Sequence, residues 1–237
     1  MSIINLTLKG VFITFLVICL IGCSQETSDI EIAHSLLDKE QYADSIFYYS
    51  KVIEDNPSVA DNYYFRGSAW VMKENYDLSI TDFSQAIELD NYHLKAYVNM
   101  GRVWEIKGEL EKALKDFNKA LELQPSDLNT LEERSEIFCV TGNFNKSIND
   151  LTLLINKKHN LSNSYRQRGD ARGQIFDYDG AIKDFLKSIE FNPKNTDAYN
   201  NLAWLQATCL DERYRDGYKS VYNAKKRTNY YQTIHQS

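Results

Sequence analysis

Two stretches of this chain repeat one pattern: GRVWEIKGELEKALKDF at residues 101–117 and GDARGQIFDYDGAIKDF at residues 169–185. Both begin with glycine, carry an aromatic residue inside and end on Ala-x-x-Asp-Phe. The two glycines lie 68 residues apart. Matching residue types at a fixed distance predict an internal repeat, so the next question is whether further copies exist.

The repeat has a period of 34 residues, and several columns of residues keep that step together. A small residue recurs, an aromatic residue or leucine precedes it by four positions, and another follows it by sixteen. The small residues are Gly67, Gly101, Ser135 and Gly169; those before them are Tyr63, Tyr97, Leu131 and Tyr165; those after them are Phe83, Phe117, Leu151 and Phe185. Chance does not account for this joint agreement.

Each copy contains two helical patterns separated by a break. In the copy that begins at residue 94, Tyr97, Met100 and Trp104 fall on one helix face at spacing i, i+3 and i+7. Gly108 opens the turn, and a second apolar stripe that includes Phe117 follows it. The pattern therefore predicts one helix-turn-helix hairpin in each copy.

A period of 34 residues with these columns resembles the tetratricopeptide repeat, over residues 26–237. The resemblance implies an all-α fold, a right-handed superhelical solenoid of about six 34-residue helix-turn-helix repeats. One hairpin cannot bury its own apolar face, so each must stack on the next. The last copy is expected to be atypical, with a longer break at residues 209–217. The expected units are 26–59, 60–93, 94–127, 128–161, 162–195 and 196–230.

Arginine directly precedes the small residue three times, as Arg66, Arg134 and Arg168. One interpretation is a functional ladder of charge. The other is that the aliphatic stems pack against the helices while the charged heads reach water. We favour the second interpretation.

The N-terminal segment has the pattern of an export signal. Residues 11–21, VFITFLVICLI, form a run of eleven apolar or near-apolar residues. A membrane-spanning helix needs about 20 residues, whereas a run of this length is typical of a secretory signal. The sequence Leu20-Ile21-Gly22-Cys23 follows and resembles the lipobox of bacterial lipoproteins.

That resemblance implies a lipid anchor. Residues 1–22 would be removed as a lipoprotein signal peptide, Cys23 would be the lipid attachment site, and residues 23–25 would form a short linker. Ser24 in place of aspartate favours the outer membrane of a Gram-negative bacterium, facing the periplasm. Acyl chains would hold the chain on the membrane, since each buried methylene contributes about 0.8 kcal/mol.

The remaining composition excludes several functions. The net charge is −6 without a basic face, which argues against nucleic acid as a partner. The four histidines fall in different copies or in the tail, so they form no metal-ligand spacing. The segment 177–180 is a turn between helices rather than a calcium loop, and Cys139 and Cys209 are expected to stay separate. We predict that the protein is not an enzyme and has no cofactor.

The family resemblance implies that the first helix of each unit lines a concave groove. Asn99 and Asn201 occupy positions from which some family members bind a peptide backbone, whereas the clamp with which chaperone-binding members hold a carboxylate is absent. The acidic residues near the middle favour an extended or helical partner segment with basic residues; an ordinary solvated face is the alternative. The predicted groove consists of Tyr64, Lys95, Asn99, Arg102, Glu105, Asn129, Glu132, Glu133, Glu136, Arg166, Asp170, Asn201 and Trp204.

The predicted function is a membrane-anchored scaffold that binds protein or peptide partners, in cell-envelope assembly. Two other classes stay open. One is a structural lipoprotein that assembles with itself through the ends of the solenoid. The other is a small-ligand binder that uses the loop at residues 209–217.

Overall fold

The computed structural model describes residues 29–208 and 212–215, and these residues form α-helices joined by short turns, without a β-strand among them. The prediction of an all-α fold is confirmed. The chain divides into two compact units, with the boundary between Leu123 and Gln124. The helices of the first unit are α1 (residues 29–38), α2 (Tyr42–Asp55), α3 (Ala60–Met72), α4 (Tyr76–Leu89), α5 (Leu94–Ile106) and α6 (Leu110–Leu123). Those of the second are α7 (Leu128–Val140), α8 (Phe144–Asn156), α9 (Leu161–Gln174), α10 (Tyr178–Phe191) and α11 (Thr196–Thr208), and a short 3₁₀ turn at Glu212–Tyr214 follows them.

Consecutive helices pack as hairpins, and the glycine column explains how closely they pack. A Cβ atom added at Gly101 would lie 2.7 Å from Cε1 of Phe117, nearer than real side chains approach. Gly169 stands in the same relation to Phe185, also at 2.7 Å. The phenylalanine ring therefore occupies the space that a side chain at the glycine would need, which is why the two columns recur together.

The fourth copy shows the same relation with different residues. Ser135 replaces glycine on α7, and the smaller Leu151 replaces phenylalanine on α8. Both side chains are buried, and the Ser135 hydroxyl donates a hydrogen bond of 2.7 Å to the backbone carbonyl of Glu132. The hydroxyl is thus satisfied inside its own helix, and the hairpin keeps its contact without the glycine.

The turn inside each hairpin has one residue in the left-handed backbone region. Two of these five residues are Gly108 and Gly142, with φ of 76° and 74°. Glycine adopts this conformation without strain because it lacks a Cβ atom. The other three are Glu40, Glu74 and Phe176, with φ of 60°, 57° and 65°.

The arginine column contacts a column of buried aspartates, so the expectation that the charged heads reach water is wrong. Arg66 donates from Nε and Nη2 to the two carboxylate oxygens of Asp82, at 2.9 and 2.7 Å. Only 20% of the Arg66 side chain and 5% of the Asp82 side chain are exposed. Two-point hydrogen bonding compensates the carboxylate for its lost hydration. The other two pairs, Arg134–Asp150 and Arg168–Asp184, have the same geometry.

The third hairpin lacks this pair because Met100 stands in the arginine column. Its aspartate, Asp116, is buried on α6, and burial raises the pKa of its carboxyl to about 6. The charge of Lys115 and a hydrogen bond with Trp104 act in the opposite direction. Asp116 is therefore a buried acid beside which the repeat supplies no guanidinium.

Several predictions concern residues that the structure does not describe. The signal peptide at 1–22, Cys23 and the linker at 23–25 lie outside the described residues. Cys209 and the second helix expected for the last copy also lie outside them. Among the helices that are described, none is long and apolar enough to cross a membrane.

Candidate partner-binding face

The first helices of the hairpins carry the residues that the sequence predicts for partner binding. In the first unit, three of them form a hydrogen-bonded chain across α3 and α5. Asn99 Nδ2 donates to Tyr64 Oη at 3.2 Å, and Arg102 Nη1 donates to Asn99 Oδ1 at 3.2 Å. Both ends of the Asn99 amide are therefore engaged internally. Lys95 and Glu105 lie on the same helix, exposed and half-buried.

In the second unit, the first helices are α7, α9 and α11, and a continuous polar network joins them. Asn163 Nδ2 donates to Glu132 Oε1 at 3.2 Å, and Arg166 Nη2 donates to Asn163 Oδ1 at 2.8 Å. Arg166 Nη1 also donates to Asp170 Oδ2 at 3.0 Å, and Asn201 Nδ2 donates to Asp170 Oδ1 at 2.6 Å. The network fixes four predicted groove residues, namely Glu132, Arg166, Asp170 and Asn201, on one face.

The predicted acidic patch is largely engaged within the chain. Glu132 also lies 2.9 Å from His159 Nε2 and accepts a bond of 2.9 Å from Asn160 Nδ2. Glu136 is exposed and accepts a bond of 2.7 Å from Gln167. The other two predicted residues of this helix, Asn129 and Glu133, are exposed and half-buried. Glu132 therefore organises the face, while Glu136 and Asn129 remain at its surface.

A cleft of about 530 Å³ opens between α9, α10 and α11, and we call it the α9–α11 cleft. Three of its lining residues, Asp170, Asn201 and Trp204, belong to the predicted groove. The lining residues outside that set include Gly173, Phe176 and Tyr178. The volume falls in the range of about 300–1,000 Å³ that is typical of ligand sites in proteins.

The cleft has two exposed aromatic walls and one carboxylate. Trp204 is 68% exposed and Phe176 is 69% exposed. Burial raises the pKa of Asp170 to about 6, and the charge of Asp197 acts in the same direction. Arg166 and the hydrogen bond from Asn201 oppose the rise. The site thus combines apolar rings with an acid that the protein leaves incompletely neutralised.

The unpredicted residues had a sequence signal. Phe176 stands in the column of Glu40, Glu74, Gly108 and Gly142, where an aromatic residue is unexpected. Gly173 stands in a helical column that holds Glu105 and Cys139 in the two preceding copies. Each departure is visible once the copies are aligned, but only the structure shows that both line one cleft.

The described part of the chain gives little support for metal binding or for catalysis by a cysteine. No group of three or more His, Cys, Asp or Glu residues there could hold a metal ion. Burial raises the pKa of the Cys139 thiol, whose sulfur lies 3.1 Å from the Ser147 hydroxyl. A raised pKa keeps the thiol protonated at neutral pH, which makes it a poor nucleophile.

The fold and these surfaces define a helical-repeat scaffold, a class of protein whose helix faces bind other proteins. The chain belongs to the tetratricopeptide repeat family. Models described as tetratricopeptide repeat match residues 30–93, 94–127, 160–195 and 185–217. The fourth hairpin, with Ser135 and Leu151 in the glycine and phenylalanine columns, lies between the matched ranges.

Solved structures share this fold at low sequence identity. The C-terminal part of a tetratricopeptide repeat-containing protein from Cytophaga hutchinsonii is 19% identical, with a TM-score of 0.72, over 85% of this chain and 78% of that chain. YrrB, a tetratricopeptide repeat protein with an unusual peptide-binding site, is 19% identical, with a TM-score of 0.67, over 77% and 91%. MamA from Desulfovibrio magneticus is 13% identical, with a TM-score of 0.67, over 73% and 96%. No curated protein matches the sequence.

Proposed function

We propose that this chain is a lipid-anchored scaffold that binds a protein or peptide partner on the first-helix face of its second unit, in assembly of the cell envelope. The observation that carries the proposal is the polar network from Glu132 to Asn201, which holds one face of three helices in a fixed arrangement beside an open cleft. A preformed surface of this kind binds with a smaller entropic cost than a flexible one.

The low identities of the solved structures leave the partner open. The peptide-binding site named for YrrB belongs to that protein. It adds plausibility to a peptide partner here without assigning residues, because fold alone does not give function. The experiments below therefore identify the partner from where it contacts the surface of this chain, and not from the partners of similar proteins.

Site-specific crosslinking tests the binding face. A photoreactive amino acid placed at Asn129, which is exposed on α7, should capture the partner in intact cells. The matched control is the same amino acid at Leu186, which is 53% exposed on the second helix of the fifth hairpin. We expect a crosslinked band from Asn129 and none from Leu186. Equal capture from both positions, or from neither, would refute a partner on this face.

The lipid anchor has its own test. Mass spectrometry of the full chain purified from bacterial membranes should find Cys23 as the first residue, with acyl chains attached. In the Cys23→Ala variant, the leader should remain and the acyl mass should be lost. An unmodified thiol at Cys23 in the natural sequence would remove the membrane anchor from the proposal while leaving the binding face untouched.

Self-assembly is the outcome that would replace the proposal. Sedimentation of the detergent-solubilised chain over a hundredfold range of concentration distinguishes the two. A concentration-independent monomer agrees with a scaffold for other proteins. Reversible growth with concentration, together with crosslinks from Asn129 to a second copy of the chain, would indicate a structural lipoprotein instead.

A further inference from the structure

Gly173 lowers the stability of helix α9, and no close packing contact compensates for this loss. Glycine inside a helix is unfavourable relative to alanine because its backbone loses more freedom on folding. At Gly169, one turn earlier on α9, the cost is explained by the ring of Phe185. At Gly173, Leu205 Cδ1 is the one neighbour among the described residues that an added Cβ atom would meet, at an ordinary contact distance of 3.9 Å. The glycine therefore leaves space, and that space is the α9–α11 cleft.

Phe176 is a second unfavourable residue in the same cleft. Its φ of 65° lies in the left-handed region, which L-residues with a bulky side chain rarely adopt. Burial does not compensate, because 69% of the residue is exposed. The same turn is served by Gly108 and Gly142 without strain, and by Glu40 and Glu74 at a similar φ. What distinguishes Phe176 in this column is an exposed aromatic ring that lines the cleft.

Trp204 is the third residue in the cleft whose side chain adds little to the stability of the fold. It lies on α11, three residues after Asn201, and 68% of it is exposed. A large exposed aromatic ring is the residue type most often found at the centre of binding interfaces. Three residues that reduce the stability of the fold, or fail to add to it, therefore line one cleft. Contacts with a bound partner would compensate for this loss of stability.

The charge of the cleft indicates what it binds. Asp170 lies in its wall and, from the part of the chain that the structure describes, accepts one hydrogen bond on each oxygen, from Arg166 and Asn201. A carboxylate can accept about four, so both oxygens keep capacity. Asp197 adds a second negative charge that acts on this acid. A purely apolar side chain would remove water from Asp170 without replacing its hydrogen bonds, which is unfavourable.

We propose that the α9–α11 cleft binds a lysine or arginine side chain of the partner segment, with its aliphatic stem between Trp204 and Phe176 and its cationic head on Asp170. Aromatic faces attract cations, and the long stems of these residues pack well on apolar surfaces. The inference rests on the proposed function, since it names the residue type by which a partner on this face would be held.

Peptide pools test the inference with the full chain in detergent. The probes are fluorescent dodecapeptides with randomised flanks and a central lysine, arginine, norleucine or glutamate. Norleucine reproduces the lysine stem without the charge. We expect the lysine and arginine pools to bind at least tenfold more tightly than norleucine, and glutamate to bind weakest. Equal binding of the lysine and norleucine pools would overturn the cationic assignment.

The variant Gly173→Leu separates loss of the cleft from loss of the fold. Leucine has the higher helix propensity, and its Cβ atom meets no described residue closer than Leu205 Cδ1 at 3.9 Å, so the melting temperature should not fall. The preference for lysine and arginine should disappear because the side chain fills the cleft. Val140→Ala, at a residue of α7 that is 75% exposed, is the control and should keep the preference.

Two results distinguish failure of this inference from failure of the proposed function. Retained binding in both Gly173→Leu and Trp204→Ala would remove the cleft as the site, while capture from Asn129 in cells would still support a scaffold. Absence of peptide binding together with absence of capture would refute both.

Discussion

Arg168 and Asp184 face each other across the fifth hairpin, and both contacts between the guanidinium and the carboxylate measure 2.8 Å. The side chains are 12% and 3% exposed, so the pair is almost removed from water. The remaining guanidinium nitrogen, Nη1, donates to the hydroxyl of Thr152 on α8, at 3.0 Å. This one arginine therefore ties α10 to the preceding hairpin, as Arg66 ties α4 to Ser50 of α2 at 3.1 Å.

The cost of losing such a pair depends on what else contacts the aspartate. Removal of one member of a buried ion pair costs about 3–5 kcal/mol because a charge is left without compensation. We expect Arg134→Met to lower the free energy of unfolding by about 3 kcal/mol. Arg168→Met should cost about 1–2 kcal/mol less, since Arg172 Nη1 still contacts Asp184 at 2.9 Å.

Urea unfolding of the full chain at neutral pH measures both losses. The double variant Arg134→Met/Asp150→Leu is the control, because replacing both charges by apolar groups should restore most of the stability. Equal losses for the two arginine variants would mean that Arg172 does not compensate Asp184.

The third hairpin offers the reverse experiment, at Met100. Its sulfur lies 3.7 Å from the hydroxyl of Ser84, so an arginine there would lie beside the equivalents of both groups that Arg66 contacts. We expect Met100→Arg to lower the pKa of Asp116 from about 6 and to raise the free energy of unfolding at pH 7.5 by about 1–2 kcal/mol. Met100→Leu is the control for packing.

The pH dependence of that gain identifies its cause. The folded natural chain holds the Asp116 proton more tightly than the unfolded chain, whose carboxyl has the ordinary pKa of 3.8. This group therefore lowers stability as pH rises from about 4 to about 6. An arginine that pairs with Asp116 should remove this loss, so its benefit should be present at pH 7.5 and absent at pH 4. A benefit of equal size at both values would point to packing instead.

Two glycines on α9, Gly169 and Gly173, should respond oppositely to the same substitution. Gly169→Ala places a Cβ atom 2.7 Å from the Phe185 ring, and overpacking of this kind costs about 1–3 kcal/mol. Within residues 29–208 and 212–215, the Cβ atom of Gly173→Ala meets only Leu205, at 3.9 Å, so this variant should stabilise the chain by about 0.5–1 kcal/mol, the difference in helix propensity. Thermal unfolding of the two variants checks the prediction, and a shift of the same sign in both would contradict it.

The sequence predicts the hairpins well because each copy supplies the same constraint. The phenylalanine and glycine columns are mutually required, so their joint recurrence indicates both the helices and their close contact. The starts of α3, α5 and α7, at Ala60, Leu94 and Leu128, repeat the 34-residue step of the sequence.

The same alignment could have predicted the arginine pairs. Asp82, Asp116, Asp150 and Asp184 recur directly before the phenylalanine column or its leucine substitute. A charged residue that recurs at a buried step requires a partner, and the arginine column supplies it in three hairpins. When each arginine is considered alone, its side chain is expected to pack its stem and solvate its head. The column of aspartates shows instead that the head is paired.

The site was harder to predict because its residues depart from the repeat rather than follow it. Phe176 and Gly173 do not stand out in isolation, and they lie three residues apart at the end of α9 and in the turn that follows it. Only the packing of α11 brings Asn201 and Trp204 to the same cleft. The acidic patch was predicted from residue type alone. In the structure, hydrogen bonds from His159 and Asn160 occupy much of the accepting capacity of the Glu132 carboxylate.

Binding of a cationic peptide to the α9–α11 cleft should weaken in acid. Burial and the charge of Asp197 raise the pKa of Asp170 to about 6, against the opposing effects of Arg166 and Asn201. Above pH 7 the acid is charged and attracts the lysine head. At pH 5 about nine-tenths of it is protonated, so affinity for the lysine pool should fall about tenfold relative to pH 7.5.

Two comparisons show whether Asp170 is the group that titrates. Asp170→Asn should bind the lysine pool weakly and equally at both pH values, and the norleucine pool should show no pH dependence with the natural chain. The other charged groups that act on Asp170 are Arg166 and Asp197, and the nearby Cys139 thiol stays protonated. A tenfold fall that persists in Asp170→Asn would remove Asp170 as the acceptor of the cationic head.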